Sequence, residues 1–205
     1  MEGFVEASTL EEIISVHSSS EANPVASTMP MLQLPLIGKF SASAIRNGRV
    51  RYCSTAMLRK RTVCDIAGIV ERHNNQKKYQ IGQSFQLSEY ELGCRFFWHR
   101  DNTPFYQDRR VGALIVQLSN SSEYQGGDLL SFSLISGIQY HSRALGSYVY
   151  LPGNKWHCVT KIQSGLRSSA VFWILRSDVS GCPRSSMQSS IISSPNTIND
   201  FRETT

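Results

Sequence analysis

The chain has 205 residues, a formal net charge of +5, 40% hydrophobic residues and five cysteines with no C-x-x-C pair. That is enough for one domain with tails, with a core that needs no disulfides, and the odd cysteine count predicts reduced thiols. No run approaches the ~18 apolar residues of a membrane span. Met1–Glu6 also lacks the basic and apolar stretches of a secretory signal, so a cytoplasmic protein is expected.

Residues 1–30 read as an N-terminal appendage. Ser8-Thr9-Leu10-Glu11 has the form of a capping box and predicts a short helix through Ile14, ended by the serines at 18–20 and two prolines. Residues 31–177 read as the main domain. Arg46, Arg49, Arg51, Arg59, Lys60 and Arg61 crowd into a short interval near its start. Without interleaved aromatics this run reads as a solvated face or an attraction for an acidic substrate, rather than a nucleic-acid surface. From Ser54 to His73, Leu58, Thr62, Ile66 and Ile69/Val70 recur every three to four residues, predicting a helix with Ser54 as N-cap and its apolar stripe on the domain's exterior.

The runs 111–119, 128–134, 138–143, 147–151, 156–162 and 167–175 then read as strands, separated by Gly, Asn, Ser and Pro clusters. Short strands at near-regular spacing predict a mainly β sandwich or jelly roll with a flanking N-terminal helix. Residues 178–205 are Ser-rich, with Pro183 and Pro195, and read as a loosely packed or disordered tail.

Chemistry concentrates at His99, Asp101, His157 and Arg167. Residues two apart on a strand face the same way, so His99 and Asp101 can reach one ion while Arg100 points away. His157 is too distant for a local finger but well placed for a neighbouring strand. Two imidazoles and a carboxylate form the facial set that holds a non-heme Fe(II) and leaves positions open. Arg167 offers a bidentate fork for a carboxylate, and Ser169 shares its face.

The ordered landmarks Tyr90-Glu91-Leu92-Gly93, His99-Arg100-Asp101-Asn102, Gly126-Gly127-Asp128-Leu129, His157-Cys158-Val159 and Gly165-Leu166-Arg167-Ser168-Ser169 run from Phe85 to about residue 175. This string resembles the Fe(II)/2-oxoglutarate-dependent dioxygenases, in their prolyl 4-hydroxylase-like branch. The resemblance implies a double-stranded β-helix, with His99, Asp101 and His157 as metal ligands. It also implies 2-oxoglutarate and O2 as co-substrates, and ascorbate as a stimulant. Arg167, Ser169, Tyr90 and Gln117 are then the co-substrate contacts. The family often has a tyrosine near Gln117, so that role falls to Gln117 or to another tyrosine. Asp101 favours hydroxylation over halogenation, since related halogenases carry a small residue there. The substrate expected is an amino acid or other small metabolite, with a peptidyl side chain as the alternative. A non-catalytic jelly-roll binding module is a further alternative.

Other residues read more simply. His17 and His73 lack metal-site partners, and His141, in a strand, is a candidate pocket liner. Cys158 adjoins a ligand but faces away. Trp98, Trp156 and Trp173 read as core or pocket walls.

Overall fold

A computed structural model describes residues 2–19, 25–26, 33–34, 38–39, 46–73, 79–102 and 110–177. In chain order it contains β1 (Glu2–Phe4), α1 (Ala7–Ser19), β2 (Val25–Ala26), β3 (Gln33–Leu34), β4 (Gly38–Lys39), β5 (Arg46–Asn47) and β6 (Arg49–Ser54). A 3-10 turn at Thr55–Met57 leads to α2 (Lys60–His73), β7 (Tyr79–Tyr90), β8 (Arg95–His99) and β9 (Arg110–Gln117). Then follow β10 (Tyr124–Gly126), β11 (Leu129–Ser133), β12 (Gly137–Tyr140), β13 (Ser147–Pro152), β14 (Trp156–Val159), β15 (Ile162–Gly165) and β16 (Arg167–Arg176).

Two antiparallel sheets form the jelly roll. The major sheet runs β1-β13-β9-β16-β7-β6-β2 and the minor sheet β12-β11-β14-β8-β5. Strand parity explains why the major-sheet strands read as nearly continuous apolar runs. On β9, Leu114 and Val116 face the helices, while Ala113 and Ile115 face the minor sheet. On β16, Ala170, Phe172 and Ile174 face the helices, and Val171 faces the minor sheet. Both faces are covered, so neither is free to be polar. At residues 86, 88 and 90 of β7 and 167 and 169 of β16, the inward face turns polar, and there the sheets enclose a cavity.

The helices differ from the sequence expectation at their ends. α1 continues to Ser19, and Thr9, Ile13 and Val16 are buried on it. Ser8 therefore lies inside the helix rather than capping it. Together with β1, which pairs with β13, α1 joins residues 2–19 to the main sheet and core instead of leaving them as an appendage. α2 starts at Lys60, well after the expected N-cap Ser54, because Ser54 caps the 3-10 turn instead, its Oγ accepting from Ala56 N at 3.2 Å. As expected, α2 packs Ile66, Ile69 and Val70 on the outside of the major sheet.

Three strands predicted at the right place differ in extent. The 156–162 run breaks into β14 and β15 at Thr160, whose Oγ1 accepts from Asp128 N at 2.8 Å. β12 spans Gly137–Tyr140, short of the 138–143 run, and β9 ends at Gln117 rather than 119. The strands β1 to β7 and β10 had no sequence prediction of their own, and the strand read through His99 and Asp101 is β8, which ends at His99. The tail at 178–205 lies outside the described residues. Among the described residues, no helix is long and apolar enough to cross a membrane.

Candidate active site

His99 ends β8 and His157 lies on β14, and the two are direct cross-strand partners. Their rings meet at 4.1 Å between centroids. Asp101, just past β8, turns back toward both, with one oxygen 3.7 Å from His99 Nε2 and the other 3.7 Å from His157 Nε2. One donor atom from each residue lies within 4.8 Å of the other two, a spacing one divalent ion can span. The same arrangement fixes the tautomers. His99 Nδ1 donates to Phe97 O at 2.8 Å and His157 Nδ1 to Lys155 O at 2.9 Å. A carbonyl can only accept, so each Nδ1 carries the proton and each Nε2 presents its lone pair to the site. Burial, then the neighbouring His157 and Arg46, hold the His99 pKa well below its ordinary value, although its bond to Phe97 O opposes this. The neutral form that results is the one a metal ion needs.

Arg167, at the start of β16 opposite Tyr90, is 2% exposed. Its Nη1 donates to Ser169 Oγ at 3.5 Å, and its guanidinium lies 5.8 Å from the Tyr90 ring centroid. Burial pulls its pKa down, and the adjacent Tyr124 and Tyr90 hydroxyls oppose that. No carboxylate of the described residues forms an ion pair with it. A buried cation without a counter-ion is costly, so this position suits an anionic ligand. Gly127 gives its stem room: at φ +66°, a Cβ there would fall 2.3 Å from Ile162 Cδ1 and 3.1 Å from Arg167 Cδ.

His99, Asp101, His157, Tyr90, Arg167 and Ser169 all line one cavity of about 640 Å³, open to solvent. Gln117 does not line it. It opens with Arg167 onto a smaller adjoining recess, and its Nε2 donates to Tyr124 Oη at 3.0 Å. The tyrosine that the sequence reading left unassigned is therefore best matched by Tyr124, which sits between Gln117 and Arg167. Among the cavity residues that sequence reasoning did not single out are Gln86, Ser88 and Arg46, the last read only as part of a basic run that was a solvated face or an attraction for an acidic substrate.

Elsewhere the outcomes are mixed. Trp173 is a cavity wall, whereas Trp156 is on the outer surface under the guanidinium of Arg100. His141 does not reach the cavity. It bonds Glu2 and, at 2.9 Å, Ser131 Oγ, tying β1 to the minor sheet. Cys158 faces away from the ligands, and burial pushes its thiol up to about 11. His17 pairs with Glu89 at 3.0 Å, and His73 contacts Tyr148 Oη at 3.1 Å, so neither belongs to the site.

Residues 85–175 match the model of the 2OG-Fe(II) oxygenase superfamily. A PKHD-type hydroxylase of Synechococcus sp. (strain CC9902) is 35% identical over 91 residues, 44% of this chain and 40% of that protein. A second, from Synechococcus sp. (strain CC9605), is 31% identical over 44% of this chain and 41% of its own length. The chain thus spans about two-fifths of the curated relatives it matches. In fold it is similar to a Pseudomonas putida prolyl-4-hydroxylase, with TM-score 0.62, 15% identity and coverage of 86% and 91% of the two chains. It is also similar to a Trichoplax adhaerens prolyl hydroxylase solved with a hypoxia inducible factor peptide fragment, with TM-score 0.59, 16% identity and coverage of 86% and 82%. The stretch that carries both histidines, Asp101 and Arg167 is therefore the one that matches the 2OG-Fe(II) oxygenase superfamily, and the fold around it is similar to that of prolyl hydroxylases.

Proposed function

We propose that this protein is an Fe(II)- and 2-oxoglutarate-dependent oxygenase that hydroxylates an amino acid or another small metabolite. The observation that carries the reading is the pairing of two features in one cavity. Three ligand atoms converge with both Nε2 lone pairs directed inward, beside a buried arginine that has no carboxylate partner among the described residues. His99, Asp101 and His157 would hold the metal, and Arg167 with Ser169 would take the distal carboxylate of 2-oxoglutarate. When bound, the metal and 2-oxo acid would supply, with O2 as oxidant, decarboxylation to succinate and carbon dioxide, one oxygen atom entering succinate and the other a substrate C–H bond.

The chain's own contribution is binding and positioning. The Phe97 and Lys155 carbonyls orient the imidazoles, and Arg167 and Ser169 fix the co-substrate's far end. Tyr90 contributes a hydroxyl on the cavity wall. Ile115, Leu129, Val159 and Val171 exclude water around them. A peptidyl substrate is the second reading, and the peptide described with the Trichoplax neighbour favours it.

Anaerobic titration tests the proposal. The protein should bind one Fe(II) per chain, and 2-oxoglutarate should then produce a weak visible charge-transfer band. His99→Ala and His157→Ala should each abolish both, since two remaining ligands do not define the facial geometry. Unchanged iron binding in both variants would refute it.

A further inference from the structure

The cavity holds a second buried arginine that the proposed co-substrate does not use. Arg46, on β5, is 6% exposed and lines the cavity together with His99 and Asp101. Its Nη2 donates to Ser88 Oγ at 3.2 Å, and its guanidinium carbon lies 4.7 Å from the Phe96 ring centroid. Its Nε is buried with no acceptor among the described residues. Three other arginines of the basic run behave differently: Arg49 and Arg51 pair with Glu89, and Arg59 with Glu12. Among the described residues no carboxylate pairs with Arg46.

The surroundings are rich in donors. Ser88 Oγ accepts from Arg46 and also from Gln86 Nε2, at 2.6 Å, so its own proton is left to donate. Trp173 Nε1, on another wall of the same cavity, is buried and also has no acceptor among the described residues. Arg110 stacks on the Trp173 ring at 3.9 Å and has other partners besides. A buried donor with no acceptor costs free energy, and a buried charge costs more. The group that answers both is acceptor-only and anionic. Charge narrows it further. A divalent metal, Asp101, the two carboxylates of 2-oxoglutarate and Arg167 balance among themselves, which leaves Arg46 uncompensated. One negative charge offsets it, and the planar fork of a guanidinium matches a carboxylate.

We infer that Arg46, with Ser88, forms a second carboxylate subsite, and that the substrate is a carboxylic acid held there by its carboxylate. This rests on the function proposed above. A small free acid and an acidic side chain of a peptide share this chemistry.

The test uses the full chain with anaerobic Fe(II) and 2-oxoglutarate. Acetate, butyrate and benzoate are compared with their neutral amides and with a capped tripeptide centred on aspartate. Binding is read from tryptophan fluorescence and from perturbation of the visible band. The acids should bind roughly tenfold or more tighter than the amides, as expected for loss of a charged hydrogen bond. Arg46→Gln should erase that ratio and Arg46→Lys should keep part of it, while the 2-oxoglutarate midpoint in Arg46→Gln stays within about twofold of the parent. Tripeptide binding as tight as that of acetate marks a peptide side chain as the source, and its exclusion marks a free acid; both support the subsite.

Equal binding of acids and amides, or no binding by any acid, overturns the inference. So does an Arg46→Gln shift in the 2-oxoglutarate midpoint as large as that of Arg167→Gln, which would make Arg46 part of the co-substrate clamp. If the parent gives no band with Fe(II) and 2-oxoglutarate, the proposed function fails instead. The acid-to-amide ratio read by fluorescence then still decides the role of Arg46.

Discussion

Arg167 can lie where it does because residue 127 has no side chain. Gly127→Ala would place a methyl against Ile162 and the Arg167 stem, at a backbone angle that L residues rarely adopt. The expected result is a 2-oxoglutarate midpoint raised about tenfold, with Fe(II) binding retained. Arg167→Ala should be more severe, since truncating one partner of a buried charged pair costs roughly 2–5 kcal/mol, or about thirtyfold to several thousandfold in affinity. Arg167→Lys should fall between, keeping the charge without the fork. Anaerobic titration of the visible band with 2-oxoglutarate measures all three, and parent-like titration by Arg167→Ala would move the clamp to another base. At this scale the metal set was legible from the two-residue offset of His99 and Asp101, although Asp101 reaches the site from the bend after β8 rather than by strand parity. Tyr124 and Arg46 were not legible. Nothing in their local strings says what folds over them, and the spacing of a basic run does not separate one buried arginine from its solvated neighbours.

Between elements, one close polar junction is the one Glu12 makes from α1 to α2. Its carboxylate accepts from Arg59 N at 2.7 Å, from the Thr62 hydroxyl, and from Arg59 Nε at 3.1 Å, so it serves as an N-cap supplied by another helix. Burial pushes the Glu12 pKa up, but the bonds from Thr62 and Arg59 outweigh it and the net shift is downward from 4.5. A depressed folded-state pKa gives stability that is present above the unfolded value and lost as pH falls through the folded value. Glu12→Gln should therefore lower stability at pH 7 by about 1 kcal/mol, the usual worth of a cap. The gap to the parent should close in denaturant melts as pH drops below 4.5 toward the lowered folded value; a gap independent of pH would show that the charge is not what matters. The late start of α2 has the same origin. The apolar period ran back through Leu58, but a serine that caps a 3-10 turn and a carboxylate from a distant helix set the boundary, and neither is visible in a 3.6-residue pattern.

For the molecule as a whole, the jelly roll was legible from its run of short β segments, but its attachments were not. β1 and α1 close the major sheet and one core from the chain's start, through Val5, Ile13 and Val16. The partner of β1 lies over a hundred residues away in β13, and the polar partners of α1 lie on and just before α2, where local periodicity carries no information. β8 has the opposite character: it is bordered by the two-residue β5 and by β14, and its register against β14 shifts between His157 and Val159. Two of the three candidate ligands belong to this thinly tied strand and its continuation, and the third to its neighbour. An ion held by all three would act as a cross-strand rivet. Binding to the folded state alone adds about 2.7 kcal/mol at a free metal concentration of 100 Kd, or about 5–10 °C in melting temperature for a chain of this size. Chelation should remove that increment and speed amide exchange along residues 95–99, and His99→Ala should melt alike with and without metal. A melting temperature unmoved by chelation in the parent would leave the rivet without support. The consequence reaches past chemistry: the empty protein is also the looser one, so metal scarcity would act on how long each molecule survives proteases as well as on how fast it works.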